Sequence, residues 1–445
     1  MTEVFNMDDD DIILSDRISQ VNLGPSELNY KLLEDAEGSP ENEKNENDEN
    51  NLVEEYSNSV SELPIPIEKK PRRQSAISGS YEIDISEAFI SSSAKSKIYK
   101  PKITDFEPIK VLGRGAYGKV LLVREISTGK LFAQKQFKKA SLIINENTNE
   151  INNVNYKRAL NEKNLLEMVN HPNIVKLFYA FQDNNKVYLI LEYLDGGELF
   201  HHLAQERFLS EKNASFYIAQ MILALRYLHL KLKVIYRDLK PENCMLNSNG
   251  NLVLTDFGLS KVSSETDRVH SITGTVQYMA PEIIRGEPYD YRVDWWSLGC
   301  VAFDLLTGSP PFTGNNNTKI IQKILSMKKT LKYPYYLSND AKDFLRKLLQ
   351  SNPEKRLNID ENFDKAKQHR FFRNVNWDDL EHSNQDDCLL PPILPIITDS
   401  ILAENFDTEF TNMPFTPPSS NLHTEDILHI DGFSFTNDHF MNSRF

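Results

Sequence analysis

The residues best suited to chemistry lie in two short stretches of the second half of the chain. I-Y-R-D-L-K-P-E-N-C-M, 235–245, contains Asp238, Lys240 and Asn243, and T-D-F-G, 255–258, contains Asp256. Asp238 can orient a hydroxyl group and accept its proton, and Lys240 can neutralise a phosphoryl group as it moves. Asn243 and Asp256 can hold magnesium on the phosphates. This order and spacing predict phosphoryl transfer, which needs charge neutralisation and in-line positioning.

A glycine-rich stretch, L-G-R-G-A-Y-G-K-V, occupies residues 112–120. Gly113, Gly115 and Gly118 have the spacing G-x-G-x-x-G, which dinucleotide folds share, and the same letters approach a P-loop. The P-loop interpretation fails because Val120 stands where Ser or Thr must hold magnesium. The dinucleotide interpretation fails because strand, turn (S-T-G-K) and strand patterns follow, where that fold needs a helix. We expect a glycine-rich hairpin that covers phosphates with its backbone amides.

Lys135 lies on the strand after the glycine stretch, where it can hold the α- and β-phosphates. Such a lysine needs a carboxylate to position it. The segment R-A-L-N-E-K-N-L-L-E-M-V, 158–169, has helical apolar spacing and offers two carboxylates. Glu162 is the first candidate and Glu167 is the second.

The stretch V-Y-L-I-L-E-Y-L-D-G-G-E-L-F, 187–200, predicts an apolar strand, a short polar hinge and a helix. An adenine ring needs backbone donors and acceptors in an apolar slot. Glu192 and Leu194 could supply these backbone groups. Glu198 could reach the ribose hydroxyls or a basic peptide.

Charge is distributed unevenly along the 445 residues. Residues 1–100 carry a net charge of roughly −12 and residues 373–445 roughly −11, so the middle is near +9. A basic middle suits an anionic ligand. Residues 1–105 are acidic and rich in Ser and Asn, and we expect them to be disordered. Residues 106–372 are rich in apolar side chains and can form a large core.

The cellular setting is indicated by what the sequence lacks. Cys244, Cys300 and Cys388 are too far apart for a disulfide framework or a metal motif, which is typical of a reduced intracellular protein. The N-terminus lacks a signal-peptide pattern, and the apolar runs are too short to span a bilayer. We therefore expect a cytoplasmic monomer that binds neither membrane nor nucleic acid.

Residues 106–372 resemble a eukaryotic protein kinase catalytic domain, and M-A-P-E at 279–282 and D-W-W-S-L-G at 294–299 extend the resemblance. It implies an α+β, two-lobed fold with a β-rich N-lobe, a helical C-lobe, and ATP with Mg2+ in the cleft between them. It also implies that Asp294 braces the catalytic loop and that Glu282 pairs with Arg356. A pseudokinase scaffold is the rival interpretation. Such proteins lose lysine or aspartate at positions that here are Lys135, Asp238 and Asp256.

The resemblance assigns roles to individual residues. The catalytic residues are Lys135, Glu162, Asp238 and Lys240. The magnesium ligands are Asn243 and Asp256. The nucleotide contacts are Leu112, Gly113, Gly115, Gly118, Val120, Ala133, Lys135, Glu192, Leu194, Glu198, Glu242 and Met245.

Further residues resemble the AGC group of serine/threonine kinases. Tyr236 replaces the histidine that usually precedes Arg237. Glu198, Glu242 and Asp304 match carboxylates that select arginine upstream of the phosphoacceptor, a charge-assisted contact. G-S-P-P-F-T-G at 308–314 and F-F-R-N-V-N-W at 371–377 are most similar to the ribosomal S-six kinase type. Akt-like and protein kinase C-like enzymes remain alternatives, although no lipid-binding domain is recognisable.

The C-terminal extension, 373–445, resembles the AGC tail in three segments: 405–411, 415–418 and 430–435. In that family the tail wraps over the N-lobe, so Phe433 and Phe435 are expected to dock beside the helix carrying Glu162. Phosphorylation of Ser434 would add charge-assisted hydrogen bonds, and Thr416 would be a second tail site. Ile430 replaces the usual first aromatic residue.

The resemblance also implies phosphorylation by upstream kinases in the activation loop. Ser271 in H-S-I-T-G-T is the expected site, Thr273 is the near alternative, and Arg237 would pair with the phosphate. An Asn-rich extension at 144–153 lengthens the segment before Glu162.

Two motifs stand out in the head. F-N-M-D-D at 5–9 resembles the motif by which S-six kinases reach the target-of-rapamycin complex, so Phe5 is a candidate docking residue. K-K-P-R-R-Q-S at 69–75 resembles a basophilic kinase site at Ser75. The expected function is therefore phosphorylation of basic Ser/Thr sites in nutrient signalling to a ribosomal protein.

Overall fold

The structure is a computed structural model that describes residues 101–114, 118–139, 142, 153–262, 275–382, 390–414 and 430–437. Gly115, Ser271, Thr273 and Thr416 lie outside the described residues, as do Phe5, Ser75 and the rest of the first hundred residues. The described chain begins with an antiparallel sheet and continues into a mainly helical part. The α+β, two-lobed expectation is confirmed.

In the described residues the strands belong to three sheets of six, three and two strands. They are β1 (Phe106–Arg114), β2 (Gly118–Glu125), β3 (Leu131–Lys138), β4 (Leu177–Gln182), β5 (Lys186–Glu192), β6 (Gly197–Glu198), β7 (Val234–Ile235), β8 (Cys244–Leu246), β9 (Leu252–Leu254), β10 (Lys261–Val262) and β11 (Phe435–Thr436).

The helices occur mainly after β5. They are α1 (Asn153–Met168), α2 (Leu199–Glu206), α3 (Glu211–Tyr227), α4 (Pro281–Ile284), α5 (Arg292–Thr307), α6 (Asn317–Leu325), α7 (Met327–Thr330), α8 (Asn339–Leu348), α9 (Phe363–Lys367), α10 (Trp377–His382) and α11 (Thr408–Thr411).

The N-terminal sheet has the strand order β1-β2-β3-β5-β4-β11, with antiparallel neighbours throughout. The turn between β2 and β3 closes through Gly129, whose φ of +72° suits a residue without a side chain. The expected strand, turn and strand after the glycine stretch are therefore present. In this hairpin Val120 and Lys135 are cross-strand partners, so the register fixes where the lysine lies.

Helix α1 packs across the sheet through apolar residues at helical spacing. Ala159, Leu165 and Leu166 are buried in the same core as β4 and β5. This packing, rather than a strong amphipathic pattern, fixes the helix. Glu162 and Lys163 are also buried on it, so two charged side chains enter the interior. Such charges need partners.

The helical part is built around α5, which is buried along most of its length. Trp295 and Trp296 have no exposed surface. Ser210 caps the neighbouring helix α3 by accepting a hydrogen bond from the Asn213 N–H at 3.2 Å. Gly308, with φ of +76°, ends α5. The long buried helix is the rigid support for the loops that face the sheet.

The tail connects the helical part to the sheet. The Ile393 N–H donates to Tyr217 Oη on α3 at 3.1 Å, and the Ser400 hydroxyl donates to Asp195 after β5 at 2.8 Å. Lys110 of β1 then donates to the Leu402 carbonyl at 2.6 Å. Residues 390–414 therefore run along one edge of both parts.

Residues 101–105, the last of the acidic head defined above, belong to the part of the chain that the structure describes. Ile103–Asp105 forms a 3-10 turn, in which the Asp105 carboxylate accepts the Lys102 N–H at 2.9 Å. Ile103 packs against the aromatic residues on the outer face of the sheet, including Phe106 and Phe132. This apolar contact, which the sequence pattern did not reveal, orders the turn. In the part of the chain described here, no helix combines the length and apolar character needed to cross a bilayer.

Candidate active site

A cleft of about 540 Å³ separates the sheet from the helical part. Its walls contain all the expected nucleotide contacts that lie in the described ranges. These are Leu112, Gly113, Gly118, Val120, Ala133, Lys135, Glu192, Leu194, Glu198, Glu242 and Met245. The expected catalytic and magnesium residues also line it: Glu162, Asp238, Lys240, Asn243 and Asp256. The fold thus brings together residues that are up to 144 positions apart, Leu112 to Asp256.

The apolar roof of the cleft comes from β1, β2 and β3. Leu112, Val120 and Ala133 form a small cluster on the cleft side of the sheet. Gly118 begins β2 so close to β3 that an added Cβ would lie 1.8 Å from the Gln136 carbonyl oxygen. A side chain at this position would displace the hairpin, which explains the third glycine of the motif.

Lys135 connects the sheet to both neighbouring elements. Its Nζ lies 2.7 Å from Glu162 Oε1 and 3.0 Å from Asp256 Oδ1. Burial alone would lower the pKa of Lys135, but Asp256 and Glu162 outweigh it and raise that pKa. Lys135 in turn holds the pKa of Asp256 below its usual value. The lysine is therefore cationic and Asp256 is anionic, as phosphate and magnesium binding would require.

The structure distinguishes between the two carboxylates on α1, Glu162 and Glu167, that the sequence offered as partners for Lys135. Glu162 is 2% exposed and contacts Lys135. Glu167 instead pairs with Lys163 on the same helix at 2.6 Å. The two residues are one helical turn apart, so the Glu167 carboxylate forms an ion pair within its own helix. The geometry therefore favours Glu162 as the partner of Lys135.

The loop after β7 places two polar side chains, those of Lys240 and Asn243, around Asp238. Asp238 Oδ2 accepts hydrogen bonds from Lys240 Nζ at 2.8 Å and Asn243 Nδ2 at 2.9 Å. Within the described residues Asp238 Oδ1 is buried and accepts no hydrogen bond. Burial raises the pKa of Asp238, and Lys240 opposes the rise. One oxygen is thus fixed by the loop, and the other has no partner among the described residues.

Asp294 of α5 holds this loop in place. Asp294 Oδ2 accepts the Tyr236 N–H at 2.8 Å, and Oδ1 accepts the Arg237 N–H at 2.8 Å. Arg237 has φ of +66°, a conformation that costs free energy in a residue with a side chain. The two backbone contacts stabilise that strained turn directly before Asp238.

The hinge after β5 lines the inner end of the cleft. Leu194 is buried there, and its N–H makes no hydrogen bond within the described residues. The Glu192 N–H, in contrast, donates to the Lys176 carbonyl at 2.9 Å. A free backbone donor in an apolar slot suits a flat heteroaromatic base.

The tail supplies a cleft residue that sequence reasoning missed. Phe406 lines the cleft, and its ring stacks on Tyr193 of the hinge with centroids 5.9 Å apart. It packs into the same cluster as Leu112 and Val120. The sequence N-F-D-T contains this aromatic residue and so could have suggested it. Its place in the cleft, however, depends on the path of the tail.

Acidic side chains form a second group around Glu242, which lines the cleft together with Glu198. Burial raises the pKa of Glu198, and the neighbouring charges of Glu242 and Asp407 add to the rise. Asp304 is 7% exposed and accepts a hydrogen bond from Tyr278 Oη at 3.0 Å. Burial raises the pKa of Asp304 to about 6, and Glu242 contributes to the rise. Neither Tyr278 nor Asp407 was singled out from the sequence.

The last described segment docks on the sheet beside α1. Phe433 is 1% exposed and belongs to the main core, and Phe435 is half-buried against it. β11 extends the sheet by pairing Phe435 with Ala180 of β4. Ser434 between the two aromatic residues is exposed to solvent. Their position beside the helix carrying Glu162 agrees with the expectation for the tail.

Two comparisons with known proteins agree with this geometry. Residues 106–372 match the family model described as protein kinase domain. The chain is also similar to a curated protein, serine/threonine-protein kinase YPK3 of Saccharomyces cerevisiae. The two are 42% identical over 377 residues, which cover 73% of this chain and 72% of the yeast protein. The family match includes both walls of the cleft.

Proposed function

Because the chain belongs to the protein kinase family and is a serine/threonine protein kinase, we propose that it phosphorylates Ser or Thr in sites with arginine on the N-terminal side. The observation that carries this proposal is the acidic group formed by Glu198, Glu242 and Asp304. Carboxylates in a partly buried pocket bind guanidinium groups strongly and often bidentately.

ATP fits the cleft through the chain's own groups. The apolar roof and the free Leu194 N–H suit the adenine base. The cationic Lys135 suits the α- and β-phosphates. Phe406 lines the cleft and would cover the base from the tail side, so nucleotide binding would depend on the tail as well as on the two lobes.

Magnesium fits the oxygen donors that face the same space. Asp256 offers an anionic carboxylate, and Asn243 directs its amide nitrogen at Asp238, which leaves its amide oxygen as the ligand atom. Oxygen donors of this kind are the ligands that Mg2+ prefers. When bound, magnesium would neutralise charge on the phosphates.

Asp238 and Lys240 would act on the transferred group. Asp238 would orient the substrate hydroxyl with its unpaired Oδ1 and accept the proton. Lys240, held 2.8 Å from Asp238 Oδ2, would neutralise charge on the γ-phosphate. Rate then comes from positioning and electrostatics rather than from a covalent intermediate.

We propose that phosphorylation regulates the enzyme. Ser434 is exposed between Phe433 and Phe435, so a kinase can modify it without undocking the buried ring. The activation-loop site Ser271 and the tail site Thr416 stay proposals based on the AGC resemblance. Ser434→Ala should lower activity several-fold, and an unchanged rate would reject the role of this site.

The proposed setting is cytoplasmic nutrient signalling by a monomeric kinase of the ribosomal S-six type. It is supported by the AGC-like Tyr236 and the acidic group, and by the Phe5 motif of the head. Phe5→Ala should reduce phosphorylation of Ser434 in cells if the target-of-rapamycin complex docks there. Phosphorylation of Ser434 at the wild-type level in that variant would reject the docking role.

The arginine preference can be tested with labelled ATP and two serine peptides, with and without upstream arginines. A charge-assisted contact contributes about 1.5–3 kcal/mol, so Glu198→Gln should lower kcat/KM for the arginine peptide about tenfold or more. The peptide without arginine should be affected less, because it has no guanidinium contact to lose, and any effect on nucleotide binding is common to both peptides. Glu354→Gln, an exposed glutamate paired with Arg292, is the matched control.

The outcomes separate the parts of the proposal. Asp238→Asn should abolish transfer to both peptides while leaving the fold intact. Equal use of both peptides by the wild type would overturn the substrate preference but leave kinase activity standing.

A further inference from the structure

A buried histidine joins two acidic residues behind the catalytic loop. His229 follows α3 and is 1% exposed. Its Nε2 lies 2.8 Å from Asp294 Oδ2, and its Nδ1 lies 2.9 Å from Asp360 Oδ2. The rings of Tyr291 and Trp295 enclose it, with centroids 4.9 Å and 5.1 Å away. The side chains of His229 and Asp294 have no exposed surface, and that of Asp360 is 10% exposed.

The geometry defines the protonation state of His229. Each ring nitrogen faces a carboxylate oxygen at hydrogen-bond distance, and a nitrogen without a proton would place its lone pair against a negative charge. Both nitrogens therefore donate, and the ring is an imidazolium. Burial opposes this charge, but Asp294 and Asp360 overcome it and raise the pKa of His229 to about 9.

Asp360 completes this arrangement from a distant part of the chain. It lies in the loop before α9, and Trp295 Nε1 donates to its Oδ2 at 3.2 Å. Asp360 Oδ1 is buried and accepts no hydrogen bond among the described residues. Its charge is offset by His229 and by Arg226 of α3, which interacts with it electrostatically. A carboxylate buried in this way needs a cationic partner.

The hydrogen bond between His229 and Asp294 is connected directly to the catalytic loop through Asp294. The Asp294 oxygen that accepts the hydrogen bond from His229 Nε2 also accepts one from the Tyr236 N–H. Its other oxygen accepts the Arg237 N–H, and Asp238 follows. The orientation of this one carboxylate therefore determines where the loop lies.

We propose that Asp360 is a positioning residue for phosphoryl transfer. It keeps His229 doubly protonated, and the charged ring holds Asp294 against the backbone that precedes Asp238. The proposal rests on the role proposed for Asp238.

The test compares Asp360→Asn with wild type in the full-length protein, measuring kcat and the KM values for ATP and an arginine-containing peptide from pH 6.5 to 8.5. Asparagine keeps the size but removes the charge. Losing one nearby carboxylate should lower the pKa of His229 by about 1.5. The ratio of variant to wild-type kcat should then fall by up to about eightfold between pH 6.5 and pH 8.5. Both KM values should change little.

The sign of the stability effect gives a second readout. His229 has a folded-state pKa above its unfolded value, so its stabilisation is fully present below about pH 6.5 and is lost as the pH rises through about 9. The difference in thermal midpoint between wild type and Asp360→Asn should therefore narrow as the pH rises. A purely local packing defect would give a difference independent of pH.

Asp343→Asn is the matched control. Asp343 also accepts a contact from a histidine, His369 Nε2 at 2.9 Å, but it is half-exposed and lies away from the loop. The ratio of Asp343→Asn kcat to wild-type kcat should be constant from pH 6.5 to pH 8.5. If Asp360→Asn does not fold, Trp295→Phe removes the other donor to Asp360 while keeping an aromatic ring, and it should give a smaller change in the same direction.

If the ratio of Asp360→Asn kcat to wild-type kcat is constant over this pH range while Asp238→Asn is inactive, the inference about Asp360 is wrong and the proposed role of Asp238 still stands. Activity retained in Asp238→Asn would instead overturn the catalytic role on which it rests.

Discussion

Gln182 and Ile430 exchange two hydrogen bonds, one in each direction. Gln182 Nε2 donates to the Ile430 carbonyl at 2.8 Å, and the Ile430 N–H donates to Gln182 Oε1 at 2.9 Å. Two residues further along the tail, the Gly432 carbonyl accepts a hydrogen bond from Lys163 of α1 at 2.8 Å. The edge of the sheet and the helix carrying Glu162 thus hold the same short segment. Its docking is a backbone recognition event, with the Phe433 side chain adding apolar burial.

Gln182→Leu should therefore loosen the tail. It removes both hydrogen bonds and leaves the Ile430 N–H without a partner among the described residues, which costs about 1–3 kcal/mol for a buried group. The Ile430 carbonyl keeps only the longer hydrogen bond from the Phe433 N–H at 3.4 Å. We expect faster amide exchange at residues 430–437 and a several-fold loss of kinase activity. Hydrogen-exchange mass spectrometry measures the first effect, and peptide phosphorylation measures the second.

Gln322→Leu, on the exposed face of α6, is the control for added apolar surface. Unchanged exchange of the tail in Gln182→Leu would show that the Lys163–Gly432 hydrogen bond, the pairing of β11 with β4 and the burial of Phe433 hold the segment without Gln182.

Glu162→Gln tests the positioning of Lys135. The substitution keeps the shape but removes the charge that faces Lys135 Nζ at 2.7 Å. A hydrogen bond to a charged group contributes about 1.5–3 kcal/mol, so kcat/KM for ATP should fall by about 10–100-fold. Initial rates over a range of ATP concentrations measure this loss.

Glu167→Gln is the control on the same helix, because Glu167 pairs with Lys163 and not with Lys135. The assignment of Glu162 would be wrong if both variants lost the same activity towards ATP.

Local patterns were sufficient to predict the hairpin, the catalytic loop and the two candidate carboxylates on α1. They could not decide between Glu162 and Glu167, because both lie on a helix whose rotation is set by its packing against β4 and β5. Phe406 was recognised only as part of a tail motif. Its place in the cleft depends on contacts between residues more than two hundred positions apart, such as Asn405 with Asp195.

The same limit applies to buried polar partners. Tyr278 and Asp360 have no local signal, because each acquires its partner through the packing of α5 against other parts of the helical region. Sequence spacing predicts which residues share a face of an element. It does not predict which charged groups two elements bury together.

Recognition of arginine should weaken in mild acid. Burial raises the pKa of Asp304 to about 6 from an ordinary value of 3.8, so the carboxylate loses its charge as the pH falls through 6. We expect the KM of an arginine peptide to rise between pH 7 and pH 5, by up to about tenfold for the loss of one charge-assisted contact. A peptide without arginine should show no such rise, and steady-state kinetics at constant ionic strength compares the two.

Asp304→Asn is the decisive variant. It should remove most of the pH dependence while keeping an acceptor for Tyr278 Oη. Because the folded state favours the protonated acid, this carboxylate reduces the free energy of unfolding as the pH rises from 3.8 to 6. Asp304→Asn should therefore be at least as stable as wild type at pH 7. If the KM of wild type for an arginine peptide stays constant down to pH 5, Asp304 does not take part in substrate binding.

The last prediction concerns the buried ion pair of the helical part. Arg356 donates to Glu282 through Nη1 at 2.6 Å and Nη2 at 2.9 Å, and the arginine side chain has no exposed surface. Arg356→Met would leave Glu282 buried without a cation, which costs about 3–5 kcal/mol. Denaturant unfolding should show this loss in the free energy of unfolding.

Arg285→Met is the matched control, because the Arg285–Glu287 pair lies on the surface and such pairs contribute about 0–1 kcal/mol. Replacing both buried partners, Arg356→Met with Glu282→Leu, should recover part of the loss, since no charge is then left unpaired. An equal effect of Arg356→Met and Arg285→Met would mean that water enters around Glu282 and compensates its charge, contrary to the closed geometry of the pair.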